Sequence, residues 1–85
     1  MTVFFELMVY KGWADSKPKP EYVRNRVFIS SDKDFESLQQ TCREKTKDMK
    51  VNVRVECEID NNTGHIMSEE EFFKRLSKAY LTMNF

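Results

Sequence analysis

Residues 51–71, VNVRVECEIDNNTGHIMSEEE, decide the fold of this chain. The first nine residues alternate between apolar and polar side chains, which is the period-two pattern of a strand with one buried face. The apolar members, which we expect to face the core, are Val51, Val53, Val55, Cys57 and Ile59. Residues 61–64, NNTG, tolerate a turn and positive φ. The stretch therefore predicts a strand that ends in a turn, with acidic residues on both sides of that turn.

Two more strands are predicted before this stretch. Thr2–Tyr10 is apolar on both faces, which is typical of a central strand. Glu21–Ser30 alternates again and has Arg24 and Arg26 on one face. Residues 11–20 contain both prolines, which cannot continue a strand ladder, and therefore form the loop of a long hairpin.

Two helices are predicted, each after residues that resemble a capping box. Residues 31–34, SDKD, form the start of a helix that is predicted from about 32 to 47 and has apolar residues at helical spacing. Ser68 and Glu71 form the second capping box and predict a second, shorter helix.

Two short strands complete the predicted order, at residues 65–67 and at Leu81–Phe85. Residues 1–85 should form a single α+β domain, with a mixed sheet of four or five strands, one main helix and a second short helix. This order fits a ubiquitin-like β-grasp in which the third or the last strand runs parallel to the first. A ferredoxin-like sandwich is the alternative, although it would open with strand, helix and strand.

The charges of the chain cancel but are unevenly distributed. Fourteen basic and fourteen acidic residues leave no global positive field of the kind that collects nucleic acid. Residues 1–30 contain five basic and three acidic residues, a net +2, whereas residues 51–71 contain one basic and six acidic residues, a net −5. An acidic region and a basic region are therefore predicted on one small domain.

No constellation of catalytic or metal-binding residues occurs in the sequence. Cys42 and Cys57 lack a metal-binding spacing and are expected to be small buried hydrophobic residues. His65 is the only histidine, and no nucleophile or second ligand lies at a suitable spacing. We therefore expect no enzyme activity, no bound metal and no cofactor. The sequence also lacks the pattern of a signal peptide or a membrane span, so a cytoplasmic location is expected, with a nuclear one open.

The acidic and basic segments resemble the Phox/Bem-type (PB) ubiquitin-like interaction domain. RVECEIDNNTG followed by SEEEFFKRL is similar to its acidic form, in which a strand and an acidic turn precede a short acidic helix start. Lys11 and the pair Arg24 and Arg26 are similar to its basic form. The element order extends this resemblance over nearly the whole chain.

This resemblance implies a protein–protein interaction module. Because the sequence begins at Met1, the module is expected to be the N-terminal part of a larger scaffold. Its partner would be a second copy of itself, joined head to tail, or another PB-type domain. The partner-binding residues that it implies are Lys11, Arg24, Arg26, Glu58, Asp60, Glu69 and Glu70. Because such contacts rest on charge, binding should weaken as salt rises.

Structural explanations compete for several of these residues. Glu71 completes a helix cap, and acids in the first turn stabilise a helix dipole. Arg24 and Arg26 can instead lie on an exposed face and pair across the sheet with Glu6 or another acid. Trp13, in the predicted loop, is either an anchor for a partner or a cover for the edge of the core.

Two other functions stay open at this point. Doublecortin-type, Ras-association and DIX domains share the element order, so tubulin or a small GTPase is an alternative partner. A small nucleic-acid-binding α+β domain that uses Arg24, Arg26 and the loop lysines is another alternative. The zero net charge and the lack of a basic-aromatic platform disfavour it, and no nucleic acid or membrane is expected to bind.

Overall fold

The structure, a computed structural model, describes residues 1–11, 24–49, 51–60 and 64–82. Its elements are β1 (Val3–Lys11), β2 (Arg24–Ser31), α1 (Phe35–Thr46), β3 (Val51–Ile59), β4 (Ile66–Ser68) and α2 (Glu69–Thr82). The fold is α+β, with a four-stranded mixed sheet and two helices in the described residues, which confirms the prediction at that level.

β1 lies at the centre of the sheet, as predicted, and the strand order is β3-β1-β2-β4. It pairs antiparallel with both β2 and β3, and β4 pairs parallel with β2. β2 and β3 therefore run in the same direction on either side of β1, and α1 forms the crossover between them. The expectation that the third strand runs parallel to the first is wrong, because the hairpin and the crossover make both neighbours of β1 antiparallel to it.

Both helices pack against one face of the sheet, which we call the inner face. The strands bury Phe5, Leu7, Val9, Ile29, Val51, Val53 and Val55 there. α1 contributes Leu38 and Cys42, and α2 contributes Phe72 and Leu76. Burying one such large apolar side chain stabilises a fold by about 1.5–3 kcal/mol. We call the opposite side of the sheet the outer face.

α1 begins three residues later than its capping pattern predicts. Asp34 is the N-cap, and its Oδ1 accepts a hydrogen bond from the Ser37 N–H at 2.8 Å. That bond holds the pKa of Asp34 below its ordinary value. The predicted cap at Ser31 is wrong because Ser31 is still the last residue of β2.

α2 is longer than predicted. It has 14 residues against 12 in α1, so the expectation of a second short helix is wrong. Ser68 caps it as predicted, accepting a hydrogen bond from the Glu71 N–H at 3.1 Å. The predicted final strand is wrong at Leu81 and Thr82, because the helix continues through both residues. The rest of that predicted strand lies outside the described residues.

Cys57 faces away from the core, contrary to the prediction. The pairing of β1 with β3 shifts between Glu6 and Leu7, so that Leu7 lies opposite Val55 but Glu6 lies opposite Cys57. Glu56 is therefore an extra residue, a bulge that changes which side of the strand faces the helices. Cys57 is exposed in consequence, whereas the burial predicted for Cys42 is confirmed.

The connections are described only in part. Lys11 belongs to β1 instead of the predicted loop. The remaining loop residues 12–20, which include Trp13, and the first turn residues 61–63 lie outside the described residues. Gly64 has a φ of 105°, a conformation that side chains with a Cβ rarely adopt.

Candidate interaction surfaces

The strand register brings several predicted acidic residues to one end of the sheet. Phe4, at the start of β1, lies between Ile59 of β3 and Ser30 of β2, and Ser30 pairs in turn with Ser68 of β4. The strands β2, β3 and β4 therefore all end at this edge of the sheet, and the residues that follow each of them lie close to it. We call this edge the acidic end.

The exposed acids near this edge come from three segments of the chain: the β2–α1 connection, the end of β3 and the start of α2. They are Asp32, Glu58, Asp60 and Glu70. None of the four has an ion-pair partner among the described residues. Asp32 was not predicted as a binding residue, because its segment resembles a helix cap and the true cap is two residues further on.

Glu69 differs from the other predicted acids because its own chain already binds its carboxylate. Ser31 Oγ donates a hydrogen bond to Glu69 Oε1 at 2.6 Å, and Lys33 Nζ lies 2.6 Å from Oε2. The Glu69 side chain is only 19% exposed. Burial alone would raise the pKa of Glu69, but the bonds from Lys33 and Ser31 outweigh it and hold the pKa below its ordinary value. Glu69 therefore joins α2 to the end of β2.

A cleft of about 680 Å³ lies between the β2–α1 connection, the end of α1 and the first turns of α2. Its charged lining residues are Lys33, Lys45, Lys74, Asp32, Glu69 and Glu70. Met49 and Phe73 supply apolar surface, and Lys45 Nζ lies 5.7 Å from the centre of the Phe73 ring. Because the positive and negative side chains are equal in number, the cleft has no strong preference for a ligand of either charge.

The predicted basic residues of β1 and β2 lie toward the opposite end of the sheet. Lys11 pairs with Val51, and Tyr10 pairs with Arg24, by the backbone register. The strand from Phe4 to Lys11 spans about 23 Å at about 3.3 Å per residue. The backbone positions of Lys11 and Arg24 are therefore separated from the acidic end by most of the length of β1, whereas Arg26, opposite Met8, lies near the middle of the strand.

Arg26 is an exposed base that is paired within its own chain. Its Nε lies 2.8 Å from Oε2 of Glu6, and its side chain is 61% exposed. Arg26 is directly opposite Met8 in the register, so the pair runs diagonally from β2 to β1 on the outer face. The structural explanation for Arg26, pairing with Glu6, is confirmed.

Arg54 is a basic residue that the sequence prediction missed. It lies on the other side of Met8 from Arg26, so that two arginines flank one residue of β1. The Arg54 guanidinium carbon lies 5.7 Å from the centre of the Tyr10 ring, within the range of a cation–π contact. In the sequence Arg54 is the one base of an acidic stretch, and only the register shows that it adjoins Arg26.

The two thiols are poor nucleophiles. Burial, together with the nearby Glu69 carboxylate, raises the pKa of Cys42 to about 12. Cys57 Sγ lies 3.6 Å from Glu6 Oε1, and partial desolvation and this hydrogen bond raise the pKa of Cys57 as well. Neither group resembles an activated cysteine, whose pKa lies well below the ordinary value.

In residues 1–11, 24–49, 51–60 and 64–82, no three His, Cys, Asp or Glu side chains form a group that could hold a metal ion. Neither described helix is long and apolar enough to cross a membrane. Comparison with protein-family models, with curated proteins and with solved structures finds no match to this chain.

Proposed function

We propose that this chain is a protein–protein interaction module that assembles head to tail, the acidic end of one copy binding the basic residues of the next. The observation that supports this is the separation along β1 of Asp60, which follows the residue paired with Phe4, from Lys11 at the other end of the strand. Two different complementary patches on one molecule make a heterologous contact, which extends into a chain of subunits unless a ring closes. A different domain with one matching patch could end such a chain.

The residues of this contact differ somewhat from those expected from sequence. On the acidic side we assign direct contact to Glu58, Asp60 and Glu70, since Glu69 is occupied by Lys33 and Ser31. On the basic side we retain Lys11, Arg24 and Arg26 and add Arg54, which shares the outer face with Arg26 around Met8.

The observed fold is compatible with a PB-type interaction domain. A mixed sheet with a helix crossing one face is compatible with a β-grasp, although both neighbours of β1 run antiparallel to it. The resemblance to PB domains rests on the element order together with the charged segments. In this proposal the domain is ubiquitin-like, and its partner is a second copy or another PB-type domain.

The energy of such a contact has to come from several residues. One exposed ion pair contributes about 0.2–1 kcal/mol, whereas micromolar affinity requires about 8 kcal/mol. About four ion pairs therefore do not supply enough binding free energy, and apolar contacts have to supply the remainder. Phe4 and Phe28, both half-buried on the outer face, are available for that purpose.

The test is the molar mass of the protein as a function of its concentration and of salt. Sedimentation or light scattering should show a mass that rises with concentration in low salt and falls to that of the monomer in high salt. Arg26→Glu should lower the mass in low salt, while Lys47→Glu, a charge reversal at the exposed end of α1, should not. A monomer under every condition would refute self-assembly.

Nucleic-acid binding is a second candidate because of one observation on the outer face. Arg26 and Arg54 lie there beside the rings of Tyr10 and Phe28, which is more of a basic-aromatic surface than the sequence predicts. Tyr10, however, is only 8% exposed, so its ring is not accessible for stacking on a base. A titration with single-stranded oligonucleotide in low salt distinguishes the candidates, since the interaction module should not bind it.

A further inference from the structure

The outer face of the sheet has an apolar half and a basic half. No element of the described part of the chain lies over it, because both helices pack on the inner face. Phe4 is directly opposite Ile59, and Phe28 lies opposite Glu6 on one side and Ile66 on the other, so these side chains share the outer face. We call the four apolar side chains nearest the acidic end the apolar half: Phe4, Phe28, Ile59 and Ile66.

The apolar half is separate from the hydrophobic core. Each of its four residues is partly buried, and none is among the core residues or the partly buried residues packed against them. Together they extend over all four strands of the sheet. A sheet face turned to water is commonly polar, and contiguous apolar groups at a surface often mark interaction sites. The apolar half is therefore a candidate contact surface for another molecule.

The basic half begins further along the same face. Arg26 and Arg54 lie opposite Met8 on its two sides, and both are exposed. A guanidinium has five N–H donors in a planar fork that suits carboxylates, so Arg26 can bind a second carboxylate while its Nε contacts Glu6. A partner that covers both halves therefore needs apolar side chains and, at one end of them, acidic side chains.

Two other kinds of partner fit this face poorly. An anionic membrane would meet the acidic end, where the exposed Glu58 and Asp60 lie beside the apolar half. An added β-strand would need a free edge of the sheet. Gln39 of α1 already binds the Val53 carbonyl and the Val55 N–H at the edge of β3, and β4 at the other edge has only three residues. A partner that lies across the face fits better than one that joins an edge.

We propose that the outer face binds an amphipathic helix of another protein, with apolar residues along one side and acidic residues at one end of that side. The middle of the apolar half, midway between Phe4 and Glu6, lies about 10 Å from Met8 at about 3.3 Å per residue. Two turns of helix cover about the same distance. An acid about seven residues from an apolar residue therefore lies on the same side of the helix and reaches Arg26 or Arg54. Such binding does not require self-assembly.

The test is a titration of a fluorescently labelled peptide with the protein, followed by anisotropy in low salt. The peptide has about 18 residues in an alanine-rich background that favours a helix, with leucines along one side and glutamates about seven residues further on that side. It should bind with saturation. A control peptide with lysines in place of the glutamates should bind about tenfold more weakly, and equal binding of both peptides would overturn the proposal.

Matched variants locate the peptide on the outer face. Phe28→Gln should weaken binding about tenfold, whereas Phe35→Gln, at the exposed aromatic residue of α1, should leave it unchanged. Arg26→Gln/Arg54→Gln should weaken binding about fivefold or more, as expected for two exposed ion pairs. Arg43→Gln, at an exposed arginine of α1, is the control for this change and should have no effect.

Two further variants cover poor folding and self-assembly. Ile66→Thr, a smaller change on β4, should also weaken binding and repeats the test if Phe28→Gln folds poorly. Asp60→Arg/Glu70→Arg, which lacks the acidic end, should bind the peptide at least as tightly as wild type, so peptide binding and head-to-tail assembly can fail separately.

Three results would overturn the proposal. The first is loss of peptide binding in Asp60→Arg/Glu70→Arg, and the second is binding that the outer-face variants leave unchanged, since each would place the peptide elsewhere. The third is no binding of the acidic peptide at all. In that case binding of the protein to phosphatidylserine vesicles would identify a membrane as the occupant, and a lower molar mass of Phe28→Gln in high salt would identify a second copy.

Discussion

Arg26 is bound by Glu6 of its own chain, with 2.8 Å between Nε and the carboxylate oxygen. The same carboxylate accepts a hydrogen bond from Cys57 through its other oxygen. Glu6 is thus an acid within the basic part of the outer face, and it competes with any acidic partner for Arg26. An acid of a neighbouring molecule gains less from Arg26 than it would from an unpaired arginine.

Replacing Glu6 should therefore strengthen assembly. In Glu6→Gln the Arg26 guanidinium is no longer neutralised, and we expect the dissociation constant in low salt to fall by up to about fivefold, the value of one exposed ion pair. Sedimentation at several concentrations measures this change. Glu36→Gln, at an exposed acid of α1, is the matched control and should leave the constant unchanged. Weaker assembly of Glu6→Gln would contradict a role for Arg26 in the contact.

Glu69 should contribute stability that depends on pH. Its pKa is lowered in the folded state from an ordinary 4.5, so its contribution is fully present above that value and is lost as the pH falls through the folded pKa. Glu69→Gln should lower the free energy of unfolding by about 1.5–3 kcal/mol at neutral pH, the range for hydrogen bonds to a charged group. Urea unfolding at a series of pH values should show the difference from wild type shrinking in acid. A difference that grows in acid would contradict the assigned bonds.

The two cysteines should react very differently with a thiol reagent. Cys57 is exposed, so one thiol per folded chain should be labelled, but more slowly than free cysteine because its pKa is raised. Cys42 is buried and should react only on unfolding. Cys57→Ser should abolish labelling of the folded protein. Glu6→Gln should make Cys57 react faster, because the carboxylate of Glu6 helps to raise the pKa of that thiol. Rapid labelling of two thiols would contradict the burial of Cys42.

Gly64 should be difficult to replace because of its backbone conformation. A Cβ at this position meets no other atom within 4 Å, so the φ of 105° is the only obstacle. Gly64→Ala should lower the free energy of unfolding by about 1 kcal/mol, since the strain exceeds the smaller gain from stiffening the unfolded chain. Denaturant unfolding measures the change. Unchanged or increased stability would show that this turn does not require positive φ.

The sequence pattern predicts local secondary structure better than it predicts how the strands pair. Alternation correctly identifies β3 and its buried residues Val51, Val53 and Val55. It fails at Cys57 because the bulge depends on the position of Glu6, which is far away in the chain. No local pattern of residues contains that information.

The candidate surfaces show the same limit. Charge counts predict an acidic and a basic region, but they do not show that Glu69 is bound by Ser31 and Lys33 across more than 30 residues of chain. Only the strand register brings Arg54 next to Arg26. The predicted strand is wrong at Leu81 because leucine also favours a helix, and α2 continues through it to Thr82.

The most direct test of head-to-tail assembly mixes two variants that each lack one patch. Arg26→Glu/Arg54→Glu removes two bases of the outer face, and Asp60→Arg/Glu70→Arg reverses two acids of the acidic end. Each variant alone should be monomeric in low salt, because each retains only one working patch. Their mixture, measured by sedimentation, should contain a dimer with one copy of each and nothing larger. Assembly of either variant alone, or a mixture that stays monomeric, would contradict the account.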